Sequence, residues 1–398
     1  MLNERINKPA IKIGEFVDSY YPVVDGVITV VDNYARRMNS DGNKCTVFTS
    51  KDKGYKNVFL PYDVVRCDSI ALKENIYGVP LPFLDYGYYK KLRETDLDIV
   101  HVHSPAPVGW MGMNYAKEKD VPSIVSFHSK FYDHILKVVK ADILTKIPMK
   151  VILETYEKAD FVWACSKAAG EVLREYGYKG SYDVVDNGCE MEEHIFTEEE
   201  KVEFDQKMGL EKDVPMFLFV GQIINHKNIK FSLDALKKAK EKGFKFKFVL
   251  VGTGYNFDEI KEYAEKIGLK NETSFLGSIH DREELSKIYS RADIFLFPST
   301  YDNAPLVVME ASNCQTPAIV MKGSTTAEKI KDGFNGFITS DSVEEYAGKI
   351  VDSVKDIEKL KVIAKNAQET VGQSFDKVAE NALERYRECI KLYRLTRK

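Results

Sequence analysis

Two carboxylates, Asp302 and Glu310, stand eight residues apart in the segment 297–311, FPSTYDNAPLVVMEA. In that segment an apolar strand ends at Pro298, a polar loop follows, and an apolar helix begins near Leu306. A helix start leaves backbone N–H groups without intrahelical partners and carries a partial positive charge, which suits a phosphate or diphosphate. Glu310, about one turn inside the helix, is placed to accept hydrogen bonds from ribose hydroxyls. Asp302, in the loop, is placed to accept from sugar hydroxyls. Taken singly, each has a plainer reading: Asp302 as a turn or N-cap residue, Glu310 as a solvated helix charge. Lys227 follows Gly221 in a polar loop behind another apolar strand. A lysine there is usually just solvated, but beside a departing diphosphate it would offset the developing charge. His101, His103 and His128 stand at or just after strand ends. His-x-His alternation on a strand can hold a metal, yet no third ligand is evident, and a hydrogen-bonded structural histidine is the commoner case.

The segment 297–311 resembles the E-x7-E signature of family-4 glycosyltransferases, in which a loop glutamate contacts the donor sugar and a helix glutamate binds the ribose. Other stretches follow in that family's order. Residues 219–228 (FVGQIINHKN) resemble its V-G-R-L-x-x-E-K-N loop, and 250–254 (LVGTG) its G-x-G turn. Residues 275–277 with 285–293 resemble its F-L-G…L…Y…A-D segment, and 323–336 its stretch ending in D-G-x-x-G. In the first half, 20–27 (YYPVVDGV) resembles the family's glycine loop, and Gly26 there would let backbone approach a phosphate or acceptor hydroxyl closely. Residues 126–129 (SFHS) resemble the region of its histidine near the donor's anomeric carbon. The resemblance implies a retaining transferase of the GT-B type, with His128, Lys227 and Asp302 at the reacting centre. It further implies a donor site built from Gly26, Gly221, Gln222, Lys227, Gly252, Asp302, Leu306, Val307 and Glu310. Three positions depart from the pattern: Asp302 for the loop glutamate, Pro305 for a frequent glycine, and Gln222 for a frequent arginine. Pro305 has no N–H, which leaves Leu306 and Val307 as phosphate donors and more charge neutralisation on Lys227. No D-x-D motif stands in a suitable loop, so a metal-dependent GT-A mechanism and a divalent metal are not expected, and no cofactor is implied because the nucleotide sugar is a substrate.

These groups need a scaffold, and the sequence patterning supplies one. Continuous apolar runs at 11–17, 45–49, 98–102, 123–127, 161–165 and 182–185 alternate with helical segments such as 28–38. Strands with continuous rather than alternating apolar character imply a parallel sheet covered on both faces. A second series follows at 216–220, 247–251, 272–276, 294–298, 318–320 and 336–338, with helices at 232–242 and 257–267. The expected fold is therefore α/β, with two doubly wound Rossmann-like domains facing a cleft and ligands outside the carboxyl ends of the strands. The expected boundaries are 1–195 and 214–376, with a Glu- and Lys-rich linker at 196–213. The helix 377–398, with Leu383, Tyr386, Cys389, Ile390 and Tyr393 at helical spacing, is expected to return to the first domain.

A length of 398 residues exceeds what one core usually supports. The formal net charge of −4 makes no general demand for nucleic acid. Six scattered cysteines, none at C-x-x-C spacing, argue against a zinc site or a disulfide framework and suit a reducing cytoplasm. No apolar run is long enough to span a bilayer. The mixed basic and aromatic stretches 86–93 and 130–150 are ordinary solvated faces or a peripheral contact with anionic lipid at the inner membrane face. The partners expected are thus a nucleotide-sugar donor and a glycolipid, lipid-linked or other glycan acceptor. A UDP-glucose-like donor comes first and GDP-mannose second. Two rival readings remain, a nucleotide-sugar epimerase of the same fold and a non-catalytic sugar-nucleotide-binding subunit.

Overall fold

The computed structural model describes residues 9–23, 25–40, 42–51, 59–71, 78–128, 142–302 and 305–397, for 142–149 the backbone alone. The chain divides into two compact units, 1–187 with 375–398, and 188–374.

The first unit is built on β1 (Lys12–Phe16), β2 (Lys44–Ser50), β3 (Asp63–Cys67), β6 (Ile99–Val102), β7 (Ser123–Phe127), β8 (Phe161–Ala164) and β9 (Asp183–Val184). Among the described residues these form one sheet in the order β3-β2-β1-β6-β7-β8-β9, every pair parallel. A separate antiparallel pair, β4 (Ser69–Ala71) with β5 (Gly78–Pro80), and the short β3 have no clear counterpart in the apolar patterning. The strand order reverses between β1 and β6, whose register sets Glu15 beside His101. Around the sheet lie α1 (Gly26–Ser40), α2 (Tyr86–Glu94), α3 (Pro107–Lys119), α4 (Asp142–Lys158) and α5 (Lys167–Glu175). The N-terminus of α1 is held by Asp25, whose carboxylate accepts from the Ile28 N–H at 2.9 Å.

The second unit opens with α6 (Glu198–Met208), inside the stretch 196–213 that composition marks as a linker. A reciprocal capping box between Thr197 and Glu200 starts this helix, and Phe204 and Met208, one turn apart, enter the unit's core. The linker expectation therefore fails here: the acidic run Glu198–Glu200 is the first turn of a helix, where negative charge is favourable. The sheet runs β12 (Thr273–Phe275), β11 (Lys247–Val251), β10 (Met216–Val220), β13 (Ile294–Phe297), β14 (Ala318–Met321) and β15 (Phe337–Thr339), all pairs parallel. All five residues of β10 are buried, as a central strand covered on both faces requires. The covering helices are α7 (Ile229–Glu241), α8 (Phe257–Lys266), α9 (Arg282–Arg291), α10 (Leu306–Asn313), α11 (Val343–Ser353) and α12 (Ile357–Thr370).

The last helix, α13 (Phe375–Thr396), belongs to the first unit. Its Phe375, Ala382, Leu383, Tyr386 and Ile390 join the same core as Val30, Tyr34 and Met38 of α1. The six cysteines are all buried and unbonded. No helix among the described residues is long and apolar enough to cross a membrane.

Phe375 is completely buried, so Phe375→Ala should destabilise the first unit by about 3–5 kcal/mol. Both tryptophans, Trp110 and Trp163, lie in that unit, so the midpoint of denaturant unfolding followed by tryptophan fluorescence should fall accordingly.

Candidate functional site

In the second unit the strand order reverses between β10 and β13, so the loops after these two strands emerge side by side. The first begins at Gly221, with φ of 148°, and is pressed against the loop after β11. Gly252, with φ of 131°, has no room for a side chain, because a Cβ would stand 1.9 Å from the Gly221 carbonyl oxygen. Hydrogen bonds from Gly221 N to the Val251 carbonyl and from Ile223 N to the Thr253 carbonyl tie the two loops together. A short 3-10 turn, Asn225–Lys227, then ends on Asn228 in the left-handed region. Gln222 is exposed on this loop.

That turn delivers Lys227 to Asp302 in the loop after β13. The ammonium donates to Asp302 Oδ1 at 2.5 Å, and the two side chains keep only 15% and 19% exposure. The same ammonium lies 5.6 Å from the centre of the Phe297 ring. The Asp302 carbonyl accepts from the Thr325 hydroxyl. The other carboxylate oxygen, Oδ2, is buried and has no partner among the described residues. Leaving such an acceptor unmet costs about 1–3 kcal/mol or more.

Beyond residues 303 and 304, which lie outside the described residues, α10 starts at Leu306. Pro305 precedes it, and no side chain among the described residues caps this end. Leu306 and Val307 are half-buried in the first turn. Glu310 is not a solvated charge. It is buried, its Oε2 accepts from the Tyr289 hydroxyl at 3.0 Å, and its Oε1 faces Arg282 Nη1 at 3.4 Å. Burial pushes the Glu310 carboxyl above its ordinary range, and the Arg282 charge offsets only part of that. Arg282 and Tyr289 both come from α9, and nothing in their spacing points to Glu310 before the fold is known.

The first unit gathers the three histidines at its own switch point. His103 Nε2 lies 2.6 Å from Glu15 Oε2, and His103 Nδ1 lies 2.9 Å from His128 Nε2. His101 lies between Tyr386 and Ser126, at 2.5 and 2.7 Å. The third metal ligand that spacing alone does not reveal is present, because Glu15 groups with His101 and His103. Each of these atoms already has a close hydrogen-bond partner, however, so the cluster reads as a satisfied polar core. At Gly26, a Cβ would meet nothing within 4 Å, so the fold itself does not demand glycine there.

Two family models match the chain, "Glycosyltransferase Family 4" over residues 24–193 and "Glycosyl transferases group 1" over 200–370. The chain belongs to the group 1, family 4 glycosyltransferases. Among its relatives in this family, the alpha-monoglucosyldiacylglycerol synthase of Streptococcus pneumoniae is 26% identical, over 77% of this chain and 70% of that one. The synthase of the same name from Acholeplasma laidlawii is 23% identical, over 90% and 92%. The crystal structure of Anabaena HepE in complex with UDP-glucose superposes with a TM-score of 0.75 at 18% identity, covering 95% of this chain and 100% of that one. Sucrose-phosphate synthase from Thermosynechococcus elongatus gives 0.73 at 18%, covering 96% and 100%. The fold is GT-B.

The raised carboxyl of Glu310 has a thermodynamic consequence for this glycosyltransferase. A carboxyl whose folded pKa exceeds its unfolded value binds protons more readily in the folded state, so its contribution to stability falls as pH rises through that interval. Glu310→Gln, which keeps an acceptor for Tyr289, should therefore raise the melting temperature at neutral pH. The gain should shrink as pH drops below the ordinary carboxyl value, where wild-type Glu310 is itself protonated; thermal melts across pH 4–8 would show it.

Proposed function

We propose that the chain transfers a hexose, with retention of anomeric configuration, from a UDP-sugar such as UDP-glucose to a lipid acceptor at a membrane surface. The observation that carries this reading is the half-buried Lys227–Asp302 pair, whose Asp302 Oδ2 has no partner among the described residues. On this reading the diphosphate takes the N–H groups of Leu306 and Val307 at the start of α10, and Lys227 serves both Asp302 and a phosphate oxygen. Asp302 Oδ2 accepts from a sugar hydroxyl, and Glu310, oriented by Tyr289 and Arg282, accepts from the ribose. Gly221 and Gly252 keep the backbone of the two loops close, with Gln222 at the rim.

In the chemical step the bond from the anomeric carbon to the diphosphate oxygen breaks while the acceptor oxygen attacks the same face. The acceptor's proton passes to the departing phosphate, so no separate protein base is required. Lys227 and the helix start offset the charge that develops there, a task this reading gives to the chain rather than to a divalent metal. The first unit handles the acceptor around Gly26, and His128 belongs to the reacting centre.

A lipid acceptor is favoured because the two relatives described above are named for making monoglucosyldiacylglycerol. A further relative from Escherichia coli, 25% identical over 82% of this chain, is named as a galactosyltransferase using UDP-Gal and an alpha-D-GlcNAc-diphosphoundecaprenol acceptor. The first unit also exposes Phe83, Leu84 and Tyr86 at the start of α2, followed by Lys90, Lys91 and Arg93. Apolar side chains beside basic ones suit an anionic bilayer. In the second basic stretch, 130–150, residues 130–141 and the side chains of 142–149 lie outside the described residues.

Incubation with UDP-glucose and vesicles of phosphatidylglycerol containing diacylglycerol should release UDP and form an α-linked glucolipid. Lys227→Ala should lower kcat/KM by about 10²–10³-fold, and Glu310→Ala should chiefly weaken donor binding. Near-wild-type turnover in both variants would end the donor-site assignment. Transfer to soluble sugars but not to vesicle lipid would end the acceptor assignment.

For the membrane contact, replacing Phe83, Leu84 and Tyr86 together by serine should weaken sedimentation with phosphatidylglycerol vesicles by at least about tenfold. Turnover of UDP-glucose with a water-soluble acceptor should be unaffected.

A further inference from the structure

Three loops of the second unit meet at Asp302, and they come from neighbouring strands. β10, β13 and β14 lie side by side and parallel, so the loops that follow them leave the sheet at one edge. The loop after β10 brings Lys227 to the Asp302 carboxylate, and the loop after β14 brings the Thr325 hydroxyl to the Asp302 carbonyl. One residue is thus held at its side chain and at its main chain, by partners 75 and 23 residues away. Thr325 is itself fixed. It opens a 3-10 turn, Thr325–Lys329, and the preceding Ser324 accepts from Ala327 N–H at 3.3 Å and donates to the Met321 carbonyl at 2.7 Å.

Ser299 joins the first two of these loops. It is completely buried, and its hydroxyl donates to the His226 carbonyl and accepts from Tyr301 N–H, both at 3.3 Å. The His226 and Tyr301 rings also stack, with centroids 5.2 Å apart and planes 25° from parallel. His226 precedes Lys227 in the chain and Tyr301 precedes Asp302, so the junction ties together the residues next to the ion pair. The short side chain at position 302 makes this matter. An aspartate has two side-chain torsions where a glutamate has three, so its carboxylate stands where the main chain puts it, and reach cannot make up for a displaced backbone. We infer that Thr325 is a positioning residue of the donor site, whose grip on the Asp302 carbonyl, with the Ser299 junction behind it, sets where the Asp302 carboxylate meets the donor's sugar. The inference rests on the reading that Asp302 accepts from that sugar, and it adds the means by which a shortened carboxylate is held in place. It also says what the grip serves: preference for the nucleotide sugar over the bare nucleotide.

The test is calorimetric titration of the full chain with UDP-glucose and with UDP. Thr325→Val keeps the shape and removes the donor; it should weaken UDP-glucose binding by about 5–10-fold, roughly what one hydrogen bond is worth, while UDP binds no more weakly than to the wild type. Thr325→Ser, which keeps the hydroxyl, should stay within about twofold of the wild type for both. Placed in an Asp302→Ala background, Thr325→Val should cost no more than about a further twofold, because the residue it acts through is gone. Thr325→Ala removes the hydroxyl without setting a methyl group against the carbonyl, and it carries the same expectations should the valine variant not fold. No loss of UDP-glucose affinity on removing the hydroxyl would overturn the inference. So would an equal loss for UDP and UDP-glucose, a serine variant as impaired as the valine one, or an undiminished loss in the Asp302→Ala background. UDP-glucose affinity unchanged in Asp302→Ala alone would instead remove the reading on which the inference rests.

Discussion

The contact on which the proposed donor site turns is the one between β10 and β13. Lys227 and Asp302 are 75 residues apart in the chain, and only the pairing of Phe217 with Ile294 and Leu218 with Phe295 brings their loops together. A parallel sheet whose order reverses at that point leaves a gap above the strand ends that no crossover helix fills. The glycines then decide how deep the gap is. A side chain at Gly252 would collide with the Gly221 carbonyl and lift the loop that carries Lys227. Packing of backbone on backbone thus sets the position of an ammonium whose charge is the site's main resource. Because both members of the pair are mostly shielded from water, their attraction is stronger than at an open surface, and so is the penalty for the oxygen left over.

The first unit uses the same topology for a different kind of chemistry. Its switch point, between β1 and β6, holds a buried carboxylate surrounded by donors rather than a cation facing outward. Glu15 has no lysine or arginine among its closest partners; hydroxyl and imidazole groups satisfy it. The arrangement also draws on α13, since Tyr386 lies 371 residues from Glu15 in the chain. The returning helix therefore completes both the apolar core around α1 and the polar core beside the histidines.

Much of this scaffold is legible in the sequence because buried parallel strands are continuous apolar runs. The bounds at 123–127, 216–220 and 247–251 coincide with β7, β10 and β11. The helix start at Leu306 is equally plain, since Pro305 and a run of apolar residues mark it. The failures have physical causes. The stretch around α6 is charged because most of its surface faces water, and just two of its residues, Phe204 and Met208, enter the core. Its capping box was nonetheless present in the sequence as Thr197 and Glu200. Glu15 looks like a charge that interrupts a strand; its partners lie on β6 and α13, at separations no local pattern spans. Arg282 escapes notice, and Tyr289, the tyrosine of the 285–293 segment, is given no partner there, for the same reason: the helix-to-helix contact that aims both at Glu310 exists only in the folded unit.

The shortened carboxylate at position 302 and the neutral Gln222 make sense together once charges are counted. Around the proposed diphosphate stand Lys227 and Arg282 against Asp302 and Glu310, and each cation already faces a carboxylate. On the proposed reading these two cations bring no net charge to a diphosphate, and the N–H groups opening α10 would supply the difference. Asp302 grips Lys227 through one oxygen, and the other has no partner among the described residues. A sugar hydroxyl donating to that oxygen would disperse the carboxylate's charge and loosen its hold on the ammonium, making Lys227 more available to phosphate. Binding of the sugar and neutralisation of the leaving group are then coupled through a single carboxylate. A nucleoside diphosphate without its sugar would lack that coupling, and it would have to compete with Asp302 for the lysine.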